Sequence, residues 1–503
     1  MSILEPGINC IGSYAATSTG VIVDARDYYR AVYHAASAAK RYLLFTGWQF
    51  DSEVSLLRGK DAEQAAGEVR FLHFLEQLCE TKPELEIYIL AWDFSMIFSM
   101  EREWFQDIIF NWTTNKRIHF RFDNRHAVGA THHQKLVVVD GLLAFVGGMD
   151  ICADRWDDRR HLFENPDRAD TNGPFSSYHD IQSFHTGPVV QELVAIFNQR
   201  WINSGAEPIL LKSGDGPIPL EVEHLIPLST DRVAVSRTQA LNFHPHQNGI
   251  MEIRSLFTRA INSAQRLIYL ENQYFSSQSI FAALVQRMTA EDRSRLQIVM
   301  LLPNELPLTE KLFLGRTQMK MLRALQQVAI DTGHELGVYS TACVKDGIRQ
   351  MTFIHSKLLL VDDCFLSIGS ANITNRSMGL DTELNVSWEA STGQDPLIAS
   401  IRQVRASLLA EHAGLHGRGM EQNFEKIDGL VSCLDRLADD PEMRVCRYEP
   451  DPTMENTPWE DALDSVACVV DPLEHDYEEI TVSRDSVFTK GIHQLSQWVN
   501  SLL

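Results

Sequence analysis

Amphipathic stretches alternate with short, wholly apolar runs along most of this chain. Asp27 to Ala38 and Met251 to Ser263 space their apolar residues at helical intervals. Apolar runs follow near Tyr42 and Leu267, then at Leu85 to Trp92, Leu136 to Val139, Leu296 to Leu302 and Leu358 to Val361. Runs of this length without polar alternation predict strands buried on both faces. With helices between them they predict α/β units around a mostly parallel sheet.

The pattern occurs twice. Ala39-Lys40-Arg41-Tyr42-Leu43-Leu44-Phe45 is echoed by Ala264-Gln265-Arg266-Leu267-Ile268-Tyr269-Leu270, and each leads into an aromatic turn, Gly47-Trp48-Gln49-Phe50 or Asn272-Gln273-Tyr274-Phe275. Later come His133-Gln134-Lys135-Leu136-Val137-Val138-Val139-Asp140 and His355-Ser356-Lys357-Leu358-Leu359-Leu360-Val361-Asp362. The first pair of segments is offset by 225 residues (39 to 264), the last by 222 (133 to 355). Order and spacing are both kept, as a duplication requires. One repeat is expected over residues 15–215 and a second over 216–415, joined by the turn-rich Lys212-Ser213-Gly214-Asp215-Gly216-Pro217. The extension 416–503 is acidic and proline-broken at Asp439-Asp440-Pro441-Glu442 and Glu449-Pro450-Asp451-Pro452, which reads as loops. Its end spaces Phe488, Ile492, Leu495, Val499 and Leu502 as a helix. The polar face lacks basic residues, which favours a packed terminal helix over one lying on a membrane.

The chemistry sits where the repeats agree most closely. In a strand, residues i and i+2 share a face, so His133 pairs with Lys135 and His355 with Lys357 at one end of a buried strand. Strand ends are where α/β sheets bind ligands. Asp140 and Asp362 stand about 16 Å from their lysines at the strand rise per residue, and read as structural. Seven residues beyond each comes a small pair, Gly147-Gly148 or Gly369-Ser370. Small side chains there admit a ligand to the backbone, and Asn372 could donate to a phosphate.

Two His-x-Lys-x4-Asp motifs in register resemble the phospholipase D superfamily, and the resemblance covers about residues 15–415. Ile268-Tyr269-Leu270-Glu271-Asn272-Gln273-Tyr274-Phe275, Ala144-Phe145-Val146-Gly147-Gly148-Met149-Asp150, Arg155-Trp156-Asp157, Gly369-Ser370-Ala371-Asn372 and Arg376-Ser377-Met378-Gly379-Leu380-Asp381-Thr382-Glu383 are similar to the eukaryotic-type members and their bacterial relatives. The resemblance implies two tandem α/β/α sandwiches related by a pseudo-twofold. It also implies His133 as nucleophile and His355 as general acid and base, with Lys135 and Lys357 on the phosphate. The family places an orienting carboxylate after each motif, which points to Asp180 and Glu383. Gln273, Tyr274 and Trp156 are expected at the headgroup, and Gly148, Ser370 and Asn372 at the phosphate. Trp48 could line the headgroup pocket with Trp156 and Tyr274, core packing being the competing reading for all three. Arg155 and Arg376 could contact phosphate, with a structural ion pair as the competing reading. His132, His161, His179 and His334 are read as framework.

Simple chemistry leads the same way. A phosphodiester is anionic and repels nucleophiles. Two ammonium groups neutralise it, one imidazole attacks, and the alkoxide leaving group takes a proton from a second. No metal or other cofactor is needed.

Composition narrows the substrate. The chain has 503 residues and a formal charge of −22, a poor start for nucleic-acid binding. A phospholipid at a membrane surface is the expected partner. With both half-sites in one chain a monomer is expected. Neither a signal peptide nor an apolar run long enough to span a bilayer is seen. That points to the cytosol or a membrane periphery, with signal-independent export left open. The eight cysteines lack zinc spacing and read as reduced thiols. Hydrolysis to phosphatidate and a free headgroup leads, with transfer to an alcohol on the same intermediate. Cardiolipin or phosphatidylserine synthesis, a nuclease, and a non-enzymatic scaffold are the alternatives.

Overall fold

A computed structural model describes residues 2–92, 114–127, 129–170, 173–240, 249–307, 310–391, 393–417, 419–450 and 470–473. The helix expected over Phe488 to Leu502 lies outside them. Most of the described strands form one eight-stranded and one eleven-stranded sheet, beside two two-stranded pairs. The first runs Ile226–Pro227, Ser18–Val23, Ile181–Thr186, Leu143–Gly147, Leu136–Val139, Tyr42–Gly47, Glu86–Trp92, Ile118–Asp123. The second repeats this order with Gly12–Ala15, Arg232–Gln239, Glu383–Glu389, Phe365–Gly369, Leu358–Val361, Leu267–Glu271, Gln297–Leu301 and Glu335–Lys345. Each sheet takes its outer strand from beyond the expected linker. Gly12–Ala15 pairs with Arg232–Gln239, and Ile226–Pro227 with Ser18–Val23.

The sheets are mixed, not mostly parallel. In the first, the parallel pairings join Tyr42–Gly47 to Glu86–Trp92 and Glu86–Trp92 to Ile118–Asp123. The motif strand instead turns straight back into Leu143–Gly147 as a hairpin. Parallel neighbours need a long crossover, and here only three residues join these strands.

Apolar runs became strands because both faces are covered. Leu136 and Val138 enter a core shared by the two sheets, as do Leu358 and Leu360. Val137 and Val139 turn outward to helices Ala25–Ala38 and Phe71–Thr81. Leu359 and Val361 turn to helices Glu252–Ser263 and Gln278–Thr289. Helices Val189–Asn203 and Pro396–His412 fill the shared layer through Leu193, Phe197, Ile401 and Leu408. The result is the α/β sandwich expected, present twice, with the motif strands near the middle of each sheet. Among the described residues no helix is long and apolar enough to cross a membrane.

The motif aspartates hold the far end of these strands. Asp140 accepts the backbone N–H groups of Lys40, Arg41 and Tyr42 at 2.7–2.8 Å. Asp362 accepts those of Gln265, Arg266 and Leu267 at 2.7–2.8 Å. Both have positive φ, 52° and 54°, a conformation that aspartate tolerates better than most residues. Asp140 is 1% exposed, whereas the amides around Asp362 reach solvent. Asp140→Ala is therefore expected to destabilise by about 2–3 kcal/mol and Asp362→Ala by about 1 kcal/mol. The shift in urea midpoint measures this. Equal shifts would contradict it.

Candidate active site

The two His-Lys segments lie just before their strands and not inside the ladders. Their hydrogen bonds run to the other half of the chain. His133 donates its backbone N–H to the Thr382 carbonyl at 2.9 Å, and His355 donates to the His179 carbonyl at 2.8 Å. His132 bridges Thr382 in parallel, and Tyr178–His179 pairs in parallel with Phe353–Ile354. Each motif thus lies beside the segment that carries the other half's carboxylate.

The carboxylates cross over accordingly. His133 Nδ1 lies 3.1 Å from Glu383 Oε2 and 2.9 Å from the Ser370 carbonyl. His355 Nδ1 lies 2.6 Å from Asp180 Oδ2. A carbonyl oxygen can only accept, so Nδ1 of His133 carries the proton and Nε2 is left with a lone pair. Glu383 is fully buried and is held by the hydroxyls of Ser370 at 2.5 Å and Ser377 at 2.7 Å. Asp180 accepts the Ile181 N–H at 2.7 Å. A side chain on Gly148 would put its Cβ 2.3 Å from Asp180 Oδ1. Glycine is thus required there to admit the carboxylate.

The lysines differ. Lys135 Nζ is 3.0 Å from Asp150 Oδ2. Lys357 Nζ donates to Gln273 Oε1 at 3.2 Å, and each lysine also donates to the carbonyl of its own motif's histidine. Gln273 in turn donates to the Tyr274 hydroxyl at 2.6 Å. Asn372 is 7% exposed, and its Oδ1 has no hydrogen-bond partner among the described residues. Trp156 is not brought to these groups. It is 3% exposed in the first half's core, 5.4 Å beneath the Arg58 guanidinium.

Burial dominates the electrostatics. It pushes the Asp180 carboxyl up to about 7 and that of Glu383 up to about 8, the latter helped by Asp381. It pushes the Lys357 ammonium down to about 7, against the pull of Asp180. It holds both imidazoles well below their ordinary range, and each feels both lysines. The short contact between His355 and Asp180 favours an ion pair. Burial and the neighbouring cationic charges outweigh it. A bound anion would reverse that balance by supplying the opposite charge.

A family model described as "Phospholipase D" matches residues 35–312, more than half of the chain. This chain belongs to the phospholipase D family. A second model, described as "Cardiolipin synthase, PLD-like domain", matches residues 257–405. Phospholipase D gamma 1 of Arabidopsis thaliana is 26% identical over 63% of this chain and 51% of its own length. Phospholipase D alpha 1 of the same plant is 24% identical over 81% of this chain and 65% of its own length. The chain therefore spans about half to two thirds of these curated relatives. The crystal structure of phosphatidylserine synthase from Haemophilus influenzae Rd KW20 shares the fold. Its TM-score is 0.52 at 15% identity, covering 85% of this chain and 94% of that one.

Around this phospholipase D core lie further polar and charged groups. Ser377 stands inside the Arg376-to-Glu383 segment, yet its spacing gives no sign that it bonds Glu383. Arg155 places its guanidinium 4.9 Å above the Tyr178 ring, which lies 5.4 Å from the His355 ring. Arg376 makes the structural ion pair, with Asp381 at 2.6 Å.

The larger omission is a buried network behind His355. Asp24, His161, His179 and Glu411 offer ligand atoms all within 4.8 Å of one another, and so do His179, Glu271 and His412. Among the described residues these are the groups that could hold a metal. Protons can join them equally well. His179 reaches Glu411 at 2.8 Å and Glu271 at 3.1 Å, His161 reaches Asp157 at 2.9 Å, and Arg159 also binds Glu411. Burial opposes charge on His161 and His179. Asp24 beside His161, and Glu271 and Glu411 beside His179, outweigh it and hold both imidazoles well above their ordinary range. Ser356 donates to Glu271 at 2.6 Å, which ties the network to the second motif. His161 and His179 are buried, and both ring nitrogens of each lie within hydrogen-bond reach of a carboxylate. His132 likewise bonds Thr382 and faces Asp123 at 3.1 Å.

Proposed function

We propose that this chain is a phosphodiesterase that cleaves glycerophospholipids to phosphatidate and a free headgroup through a phosphohistidine. The observation that carries this reading is the crossed pairing: each imidazole has the other half's carboxylate on Nδ1 and both lysines nearby. Nε2 of His133 attacks phosphorus while the bond to the headgroup oxygen breaks. His355 gives that oxygen its proton, held for it by Asp180. Lys135 and Lys357 offset the charge on the non-bridging oxygens. His355 then takes a proton from water. The hydroxide breaks the phosphorus–nitrogen bond, releasing phosphatidate and neutral His133.

The test is a panel of phospholipids in mixed micelles, with and without a primary alcohol, read by mass spectrometry. Phosphatidate from one or more headgroups is expected, and a phosphatidyl-alcohol when alcohol is present. Folded protein that leaves every lipid intact but cuts single-stranded DNA would replace this reading with a nuclease. The match of residues 257–405 to a cardiolipin synthase-type domain supports a second reading, in which an alcohol is the natural acceptor. Transfer that outruns hydrolysis at low alcohol would favour it.

The site also sets a pH limb. Lys357 is charged below about 7 and neutral above it, so its help to the transition state is present below that pH and lost above. For the free enzyme, kcat/KM should fall as pH rises through about 7. Lys357→Arg should be slower but flat across that window, because a guanidinium stays charged. A limb unchanged in Lys357→Arg would assign it to another group.

A further inference from the structure

Residues 470–473 lie far down the chain from both motifs, yet they are built into the ground beside them. Asp471 is 6% exposed. It accepts from the Ser276 hydroxyl at 2.5 Å, the Asn375 amide at 3.3 Å and the Arg376 backbone N–H at 2.8 Å. Its own carbonyl accepts from Asn375 at 3.4 Å, and that of Val470 accepts from Arg376 Nη1 at 2.8 Å.

Two chains of contacts run from this segment, one to each half-site. In the first, Arg376 grips Asp381 at 2.6 and 2.8 Å and the Gly129 carbonyl at 2.8 Å. Asp381 accepts the Thr131 N–H at 2.8 Å, and two residues on stands His133. In the second, Val470 packs on the Tyr274 and Leu314 pair. Tyr274 accepts from Gln273, and Gln273 accepts from Lys357.

We infer that Asp471 is a positioning residue: with Val470 it sets Arg376 and Tyr274, and through them the placement of His133 and Lys357. This rests on the phosphodiesterase reading above. A residue that merely anchored the extension would need neither chain. An apolar residue would also anchor it at lower cost, since burial pushes the Asp471 carboxyl up to about 6. The charge is warranted by what it holds: one carboxylate meets a hydroxyl, an amide and a backbone N–H together.

Asp471→Ala and Asp471→Asn in the full chain test this. A displacement of about an ångström at reacting groups costs on the order of 10²-fold. Asp471→Ala should therefore lose about that much kcat on a soluble short-chain phosphodiester, with KM moved less than about threefold. Asp471→Asn keeps one acceptor and should lose less. Amide hydrogen exchange should rise at Arg376 and Thr131, while Leu358 to Val361 stay protected. Wild-type kcat in both variants would overturn the inference. So would loss of activity in step with loss of that core protection, which would make Asp471 a structural anchor only. If the wild type cleaves no phosphodiester, the functional reading fails. Faster exchange at Thr131 in the variants would still show the wiring, and unchanged exchange would overturn it too.

Discussion

His133→Ala and His355→Ala should each lower turnover of a natural phospholipid by on the order of 10⁴-fold or more, because the two groups act as one unit. They should part on an activated ester whose leaving group departs without a proton. Such a substrate makes no demand on the acid in the first step. His355→Ala should then form the phosphoryl adduct on His133 and stall, since no base remains to activate water. His133→Ala should form no adduct with any substrate. Intact-mass measurement after rapid quenching sees the adduct directly. An adduct on residue 355 in His133→Ala, and never on His133, would reverse the two roles. No adduct under any condition would count against covalent catalysis.

The crossed carboxylates give the second large effect. Asp180→Asn should lower kcat by on the order of 10³–10⁴-fold, as expected when a histidine loses the carboxylate that sets its tautomer. It should copy the His355 phenotype, with an adduct that accumulates from an activated ester, although residue 180 belongs to the first half. Glu383→Gln should copy the His133 phenotype from the second half. Its loss should be smaller, on the order of 10²–10³-fold, because the Ser370 carbonyl still holds the Nδ1 proton of His133. The opposite match, with Asp180→Asn resembling His133→Ala, would refute the crossed arrangement.

Much of this was legible beforehand because it is local. Two-sided burial leaves a continuous apolar run, and Leu136 to Val139 and Leu358 to Val361 are such runs. Duplication leaves order and spacing, so the correspondence of His133 with His355 needs no coordinates. The mostly parallel sheet was misjudged for a local reason as well. A hairpin of the same apolar residues has the same burial pattern as a parallel pair, so burial on both faces does not give strand direction. Trp156 shows another limit, since an aromatic ring in a core and one lining a pocket look alike in sequence.

The chain by itself picked out the side chains proposed to carry the chemistry, because residue type, spacing and repetition are one-dimensional. It determined two half-sites, each with an imidazole and an ammonium two residues apart, and a carboxylate following each. Only the tertiary structure decided which carboxylate serves which histidine. The pairing of Thr382 with His132 and of His179 with Ile354 joins segments 250 and 175 residues apart, and no local rule governs it. The same holds for the buried set of Asp24, His161, His179, Glu271 and Glu411, and for Asp471 against Arg376. Each is assembled from separate segments whose neighbours in sequence give no sign of charge partners. A buried charge must find an opposite one, and only the folded chain says where it does.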